Sequence, residues 1–207
     1  MSRHRLWIPV AALLLAASAA ETSDSWLRPK ADYTADTVME TDAGTVRGRV
    51  WASGAKERRE LVVDGRRHAV ILRRDRGVTW ILLPDQRMYV ENGAGGEPLV
   101  VDRLDARALE REALGEESVN GVRATKYRVH GSAADGQPFE GTMWLTEQEI
   151  PVRVLTQQGG APMRMELRNL SLGAVDPARF EIPSGWRRFE LPASAKAELE
   201  ALRKDNR

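Results

Sequence analysis

Apolar and polar residues alternate along many short segments of the chain. In segment 162–170 (PMRMELRNL), Met163, Met165 and Leu167 occupy every second position, and charged residues stand between them. A period of two is typical of a β-strand that turns one side to water and the other side to apolar surroundings. The same kind of pattern predicts strands near residues 32–40, 45–52, 56–63, 67–74, 78–83, 87–91, 116–119, 122–130, 139–146, 151–157 and 163–172.

Turn residues separate the predicted strands at short intervals. Asp-Gly pairs at 64–65 and 135–136, and an Asn-Gly pair at 120–121, lie between alternating segments. Such pairs favour two-residue hairpins, because both central residues of these turns need positive φ angles. Links this short join antiparallel neighbours rather than parallel strands. The chain is therefore predicted to be mainly β, of the α+β class, with about ten antiparallel strands.

One internal segment does not alternate and is predicted to be a helix. Segment 100–115 (VVDRLDARALEREALG) brings Leu104, Ala108 and Leu109 near one side, with acids and arginines around them. This spacing predicts an amphipathic helix of about four turns. The helix follows a glycine-rich loop, which we interpret as a flexible entry to it.

The two ends of the chain differ from its central part. Residues 1–20 combine a basic start, an apolar run that is short for a membrane span, and small residues at Ala17 and Ala19. This pattern predicts a cleaved secretory signal peptide and a location in the periplasm, with an uncleaved membrane anchor as the alternative. The charged tail 193–207 is predicted to be helical. Residues 21–192 are predicted to form one domain.

Charged residues identify which side of each predicted strand faces water. Because Lys126 and Arg128 share one side, Tyr127 is predicted to face inward. Segment 78–83 (VTWILL) is apolar on both sides, which predicts a central or doubly covered strand. The apolar inner side is either ordinary packed core or the wall of a ligand cavity, for which flexible methionine side chains are well suited. The predicted apolar wall consists of Tyr33, Met39, Val50, Trp80, Leu82, Met88, Tyr127, Met143, Leu145, Val154, Met163, Met165 and Leu167.

Composition and charge narrow the possible functions. The chain has no cysteine, which excludes disulfides, thiolate nucleophiles and a lipid-modified cysteine. The formal charge is +1. Removal of residues 1–20, which hold Arg3 and Arg5 and no acid, leaves 29 basic against 30 acidic residues, a net charge of about −1. Both signs are interspersed, so a nucleic-acid partner is not predicted.

No residue pattern indicates catalysis, metal binding or a cofactor. His68 and His130 lie on different predicted strands, and the glycines of segment 93–96 lack the Lys-Ser/Thr of a phosphate-binding loop. An envelope hydrolase would need an acid–base group that the sequence does not reveal. The chain is therefore predicted not to be an enzyme. Segment 56–60 (KERRE) is either a docking strip for an anionic group or a partner, or a charged edge strand in water.

Several segments, in order, resemble the Lol-type periplasmic lipoprotein carriers, the LolA-like superfamily. The segments are VTWILLPDQRMYVE (78–91), VNGVRATKYRV (119–129), GTMWLTEQEIPVRV (141–154) and DPARFEIPSGW (176–186). The likeness covers most of residues 30–190 and is greatest to the uncharacterised members of this fold, the outer-membrane lipoprotein-sorting-like proteins. It implies an open antiparallel half-barrel with a helical lid over an apolar concavity.

The resemblance also implies a function. We expect a periplasmic, non-enzymatic binding or carrier protein whose partner is a lipid or an acylated lipoprotein, with Leu104, Ala108 and Leu109 on the lid. The alternative is an interaction or regulatory module that docks an inner-membrane transporter or another envelope protein. The chain departs from the carrier proper after the leader, because Pro29 lies where the long N-terminal helix of a carrier would run. This departure counts against lipoprotein as the cargo.

Overall fold

The computed structural model describes residues 28–42, 44–63, 65–93, 104–133, 138–158 and 161–189. These residues form one 12-stranded sheet with two short 3₁₀ turns, at Pro84–Gln86 and Pro177–Phe180. The strands are β1 (Tyr33–Thr41), β2 (Gly44–Ser53), β3 (Lys56–Val63), β4 (Arg66–Arg73), β5 (Val78–Leu83), β6 (Met88–Gly93), β7 (Leu104–Val119), β8 (Val122–Ala133), β9 (Pro138–Leu145), β10 (Pro151–Gln158), β11 (Ala161–Leu172) and β12 (Arg187–Arg188).

The sheet is open and almost entirely antiparallel. Its strand order is β12-β6-β5-β4-β3-β2-β1-β11-β10-β9-β8-β7, so β12 and β7 form its two edges. Each neighbouring pair is antiparallel except β12 and β6, which run parallel. The central seam joins β1 to β11, the two strands farthest apart in sequence among the long ones. The predicted mainly β, open half-barrel architecture is confirmed.

The predicted turns explain why these segments pair as they do. Asn120 and Gly121 form a two-residue turn between β7 and β8, with φ angles of 48° and 82°, as their sequence predicts. The strands predicted at 56–63 and 78–83 agree with β3 and β5 at both ends. Short turns between consecutive strands therefore set most of the strand order.

The helix predicted over 100–115 is wrong where the structure describes it. Residues 104–115 belong to β7, a strand of 16 residues, and residues 100–103 lie outside the described part of the chain. The Ala, Leu, Glu and Arg residues of this segment favour a helix when taken alone. Pairing with β8 overrides that preference, because it provides a continuous hydrogen-bonded ladder along the segment. The predicted lid helix is therefore replaced by an edge strand.

Ion pairs across the hairpin add to the stability of this edge strand. Glu112 lies 2.9 Å from Arg128, and Glu117 lies 3.0 Å from Lys126. Each acid stands on β7 and each base on β8, so these charges form cross-strand pairs. The predicted leader (1–20) and the predicted helical tail (193–207) lie outside the described residues.

The sheet buries opposite faces in its two halves. We call the face that carries Tyr33, Val50 and Met143 the inner face, and the opposite one the outer face. The inner-face cluster contains, among others, Tyr33, Ala35, Val50, Ala52, Val129, Met143, Leu145, Val154, Met165 and Leu167. A second cluster lies on the outer face of β4 and β5 and consists of Ala69, Ile71, Trp80, Leu82, Val175 and Phe180.

The second cluster is covered by residues 175–189, which we call the strap. The strap begins with a capped 3₁₀ turn, in which the Ala178 N–H donates to the Asp176 carboxylate at 2.9 Å. Phe180 is fully buried against β4 and β5. The strap ends as β12, whose residues pair with the start of β6. The part of the outer face that lies beneath the strap is therefore core, although it belongs to an open sheet.

Arg73 ties the strap to β4. Its buried guanidinium donates to the Phe180 carbonyl oxygen at 3.3 Å and to the Glu181 carboxylate at 2.5 Å, and it forms a two-pronged pair with Asp75 at 2.8 and 2.7 Å. Hydrogen bonds from Arg73 lower the pKa of Asp75 from 3.8 to about 2, although partial burial of the carboxyl group opposes this shift. A buried arginine needs such partners, so the clamp depends on ionised carboxylates.

We expect Asp75→Asn to lower the free energy of unfolding by about 1 kcal/mol at neutral pH. Because the folded pKa of Asp75 is depressed, its contribution is complete above the ordinary value of 3.8 and is lost as pH falls through about 2. Urea denaturation at several pH values should therefore show the gap between wild type and variant closing toward pH 2. Asp85→Asn, on the exposed 3₁₀ turn, is the control; an equal effect there would contradict the clamp.

Gly48 marks a close approach of β2 to β3. A Cβ atom on this residue would overlap the carbonyl oxygen of Glu60 and lie 2.7 Å from Leu61 Cδ2. We expect Gly48→Ala to push the two strands apart and to lower the free energy of unfolding by about 1–3 kcal/mol. Thermal denaturation checks this, with Thr45→Ala on the same strand as the control. A Gly48→Ala protein as stable as wild type would show that β3 can move aside without cost.

Candidate functional site

The inner face has a packed half and a partly open half. In the packed half, formed by β8 to β11 and β1, Val129, Met143 and Val154 have no exposed surface. A side chain without accessible surface has no water-sized space beside it, so these residues contact protein atoms on all sides. The packed half is therefore hydrophobic core.

The partly open half lies on the inner face of β3 to β6. Cross-strand pairing places Val70 beside Ile81 and Ile81 beside Val90, and all three side chains are half-buried. Neighbouring half-buried apolar residues extend this row to both sides. We call the set the inner-face patch: Leu61, Val63, Val70, Ile81, Leu83, Met88 and Val90.

The inner-face patch is backed by solid structure. The opposite side of β4 and β5 carries Ile71, Trp80 and Leu82, which are buried beneath the strap. Trp80 is further fixed because its indole N–H donates to the Glu91 carboxylate at 3.0 Å. Under the centre of the patch, β4 and β5 therefore have a largely packed outer side and an apolar inner side still accessible, an arrangement that suits a rigid binding surface.

An ion pair adjoins the inner-face patch. Glu57 is buried between Ala52 and Leu72, forms a salt bridge with Arg59, and lies 3.5 Å from Arg74. Burial raises the pKa of Glu57, but the two guanidinium groups outweigh burial and hold that pKa below its usual value. The carboxylate is therefore charged at neutral pH, and it fixes Arg59 next to Val70 on the inner face.

The charged segment 56–60 does not form a continuous strip. Strand alternation turns Glu57 and Arg59 inward and turns Lys56 and Arg58 outward. Arg58 pairs with Glu60 at 2.9 Å, and the Lys56 ammonium lies 5.8 Å from the centre of the Phe180 ring. The docking strip predicted for this segment is therefore divided between two faces of the sheet.

Most of the predicted apolar wall lies together on the inner face. The inner-face cluster holds Tyr33, Val50, Met143, Leu145, Val154, Met165 and Leu167, with Tyr127 packed against it. Met163 is buried, and Met39, beside Met165, is half-buried. Met88 belongs to the inner-face patch. The structure does not bring Trp80 and Leu82 to this face, because they lie beneath the strap. The predicted lid residues Leu104, Ala108 and Leu109 stand on β7 rather than on a helix.

The sequence analysis misses the residues of the inner-face patch other than Met88, although a signal for one of them exists. On β6, Val90 alternates with Met88, which is predicted on the inner side. On β4 the charges give no orientation, because Arg66 and Arg67 stand on opposite sides of the strand. Segment 78–83 gives no such signal because both of its sides are apolar. The structure shows the reason: one side packs beneath the strap, and the other belongs to the inner-face patch.

The described residues contain no cluster of three or more His, Cys, Asp or Glu side chains placed to hold a metal ion. His130 is exposed and lies 3.3 Å from Glu110, whereas His68 is half-buried on the inner face of β4. In the part of the chain that the structure describes, no helix has the length and apolar character needed to span a membrane.

Known structures share this architecture at low sequence identity. No family model matches the sequence, and no curated protein matches it. An uncharacterized conserved protein from Thermus thermophilus aligns with a TM-score of 0.52 and 15% identity, over 77% of this chain and 90% of its own. MucB aligns with a TM-score of 0.53 and 19% identity, over 82% of this chain and 65% of its own.

The likeness to MucB decides the fold, because MucB is LolA-like. The protein has a LolA-like fold. MucB solved in complex with MucA(peri) aligns with a TM-score of 0.50 and 18% identity, over 83% of this chain and 60% of its own. The LolA-like chain thus spans less than two thirds of MucB. The LolA-like resemblance predicted from the sequence is confirmed at the level of the fold.

The two halves of the inner face should respond differently to charge. We expect Met143→Glu to lower the free energy of unfolding by about 3 kcal/mol or more, because it places a carboxylate where no water reaches. Met88→Glu should cost about 1 kcal/mol, because Met88 is only half-buried and its carboxylate can stay hydrated. Urea denaturation of both variants checks this. Equal losses would show that the inner-face patch is closed core as well.

Proposed function

We propose that this protein is a non-enzymatic binding or carrier protein of the periplasm, and that it holds a hydrophobic ligand on the inner-face patch. One observation carries the proposal: seven half-buried apolar side chains share one face of four adjacent strands whose other face is largely covered. Soluble proteins seldom leave such a surface uncovered unless it binds something. The LolA-like fold supports the same class of function.

An acyl chain fits the chemistry of this surface. Burial of each methylene contributes about 0.8 kcal/mol, so a chain of about a dozen carbons gains several kcal/mol after its ordering cost is subtracted. Four strands spaced about 4.8 Å apart present roughly 14 Å of apolar width to such a chain. The inner-face patch offers aliphatic and thioether groups, which adapt to chains of different shape. The ligand class is therefore a lipid, free or as the acyl chain of a lipoprotein.

The N-terminal sequence supports the location. The basic start, the apolar run and the small residues of 1–20 direct export, and the mature protein would act between two membranes. A carrier there takes its ligand from one envelope component and gives it to another. Free lipid is favoured over lipoprotein as cargo, because Pro29 interrupts the position of the long N-terminal helix of a lipoprotein carrier.

A second function, docking of an envelope protein, is favoured by the likeness to MucB, which has been solved in complex with MucA(peri). In this chain the exposed residues 110–118 of β7 lie on an edge of the sheet. The unpaired edge of such a strand offers backbone N–H and C=O groups to an added strand. A partner of this kind would bind as an extended segment along β7 rather than on the inner-face patch.

The ligand test compares two apolar-to-Glu variants. We expect Ile81→Glu, at the centre of the inner-face patch, to reduce the lipid that copurifies from the periplasm at least tenfold, because ligand binding would bury its charge. Leu155→Glu is the control, since Leu155 is exposed and alternates with the inward-facing Val154. Native mass spectrometry and lipid extraction measure the bound ligand, and circular dichroism verifies that both variants are folded.

Three results would decide between the two functions. Lipid on wild type and on Leu155→Glu, with loss on Ile81→Glu, supports the lipid-binding function. Equal lipid on all three proteins contradicts the inner-face patch as the binding site. A wild-type protein that carries no lipid but retains one envelope protein through crosslinks to 110–118 supports the docking function instead.

A further inference from the structure

A group of arginines lies on the outer face of the sheet, away from the inner-face patch. Strand alternation on β2 places Arg47, Arg49 and Trp51 on this face. Val62 on β3 stands directly opposite Arg47, and Arg67 on β4 stands directly opposite Val62. We call these five residues the outer-face basic patch.

The arginines of this patch differ from several other exposed arginines of the sheet. Arg47, Arg49 and Arg67 are exposed, and within the described part of the chain none of them forms a salt bridge. Several exposed arginines elsewhere on the sheet are paired: Arg123 lies 2.7 Å from Glu116, and Arg128 lies 2.9 Å from Glu112. Arg66, on the inner face of β4, and Arg187, on β12, are also exposed and form no salt bridge within the described residues. Three arginines without a salt bridge are grouped on the outer face of β2 and β4.

The two acids that stand directly opposite Arg49 have other partners. Asp36 stands opposite Arg49 on β1 but accepts a hydrogen bond from Asn169 at 2.7 Å. Glu60 stands opposite Arg49 on β3 but pairs with Arg58 at 2.9 Å. Neither acid forms a salt bridge with Arg49. The Arg49 guanidinium is therefore open to solvent, while the Asp36 carboxylate, bonded to a neutral amide, keeps its negative charge on the same face.

Apolar and aromatic groups accompany this charge. Val62 is 48% exposed between two arginines. The half-buried Trp51 ring has the guanidinium of Arg49 5.6 Å from its centre and that of Arg179 5.2 Å away. Arginine, tryptophan and an exposed aliphatic side chain together suit the boundary between water and a lipid bilayer, where charge meets headgroups and apolar atoms leave water.

We propose that the outer-face basic patch docks the protein onto an anionic phospholipid surface. Without residues 1–20 the chain has a net charge of about −1, so attraction to such a surface must come from a local patch rather than from the whole protein. Each basic side chain near an anionic membrane adds to the binding, and several acting together suffice for reversible docking. In such docking, the inner-face patch would face away from the membrane, because it lies on the opposite face of the sheet.

The test uses the protein without residues 1–20 and vesicles of phosphatidylglycerol mixed with phosphatidylcholine, compared with phosphatidylcholine alone. At low ionic strength we expect wild type to float with the anionic vesicles only. The triple variant R47Q/R49Q/R67Q should bind them roughly 10- to 100-fold more weakly. Binding of wild type should also fall as salt is raised, because the charges are exposed and screened.

The control variant R123Q/R128Q/R188Q removes the same amount of positive charge from exposed sites that pair with acids. It should keep vesicle binding within about threefold of wild type, and thermal denaturation should show both triple variants folded. Equal loss in the two triple variants would overturn the proposal, since only net charge would matter. Wild type without preference for anionic vesicles would overturn it as well. Neither result depends on whether the inner-face patch holds a lipid.

Discussion

The strap over β4 and β5 is the contact on which the organisation of this molecule depends. A sheet strand has two sides, and an apolar side that no layer covers costs free energy in water. Here the chain folds its own residues 175–189 over the outer side, with Phe180 buried and Arg73 holding the strap in place. The outer side therefore becomes core, and the inner side of the same strands is left as the apolar surface that can receive something else.

The two halves of the sheet thus differ in how their inner faces are packed. The inner face of the half around β8 to β11 is packed core, and its methionines are buried there together with its valines. In the half around β3 to β6, the strap packs against the outer side of β4 and β5, and the inner side is partly open. A ligand surface built on packed strands keeps its shape without ligand, which limits the entropy that binding must overcome. The position of Arg59 at the border of the inner-face patch, fixed by buried Glu57, gives this surface one ordered polar group.

Much of the fold can be predicted from the sequence, and the failures have physical reasons. Alternation and Asn-Gly or Asp-Gly turns locate nearly all strands, because both signals are local. The segment beginning at Leu104 is wrongly predicted as a helix because its Ala, Leu, Glu and Arg residues prefer helices, while the pairing that makes it a strand comes from β8. Trp80 is wrongly predicted on the inner side because no charge marks either side of 78–83; only the strap, about a hundred residues later, decides it.

The central seam has a consequence for how the chain folds during its synthesis. β1 and β11 are paired although more than a hundred residues separate them in the chain, and every other strand is attached to one of these two flanks. The hairpins on either flank can form early, but the middle of the sheet cannot close before residue 172 is available. During synthesis, the chain therefore contains two separate groups of hairpins whose edge strands are unpaired. The complete sheet forms only after most of the chain has been made, and the exposed strand edges need protection from self-association during that interval.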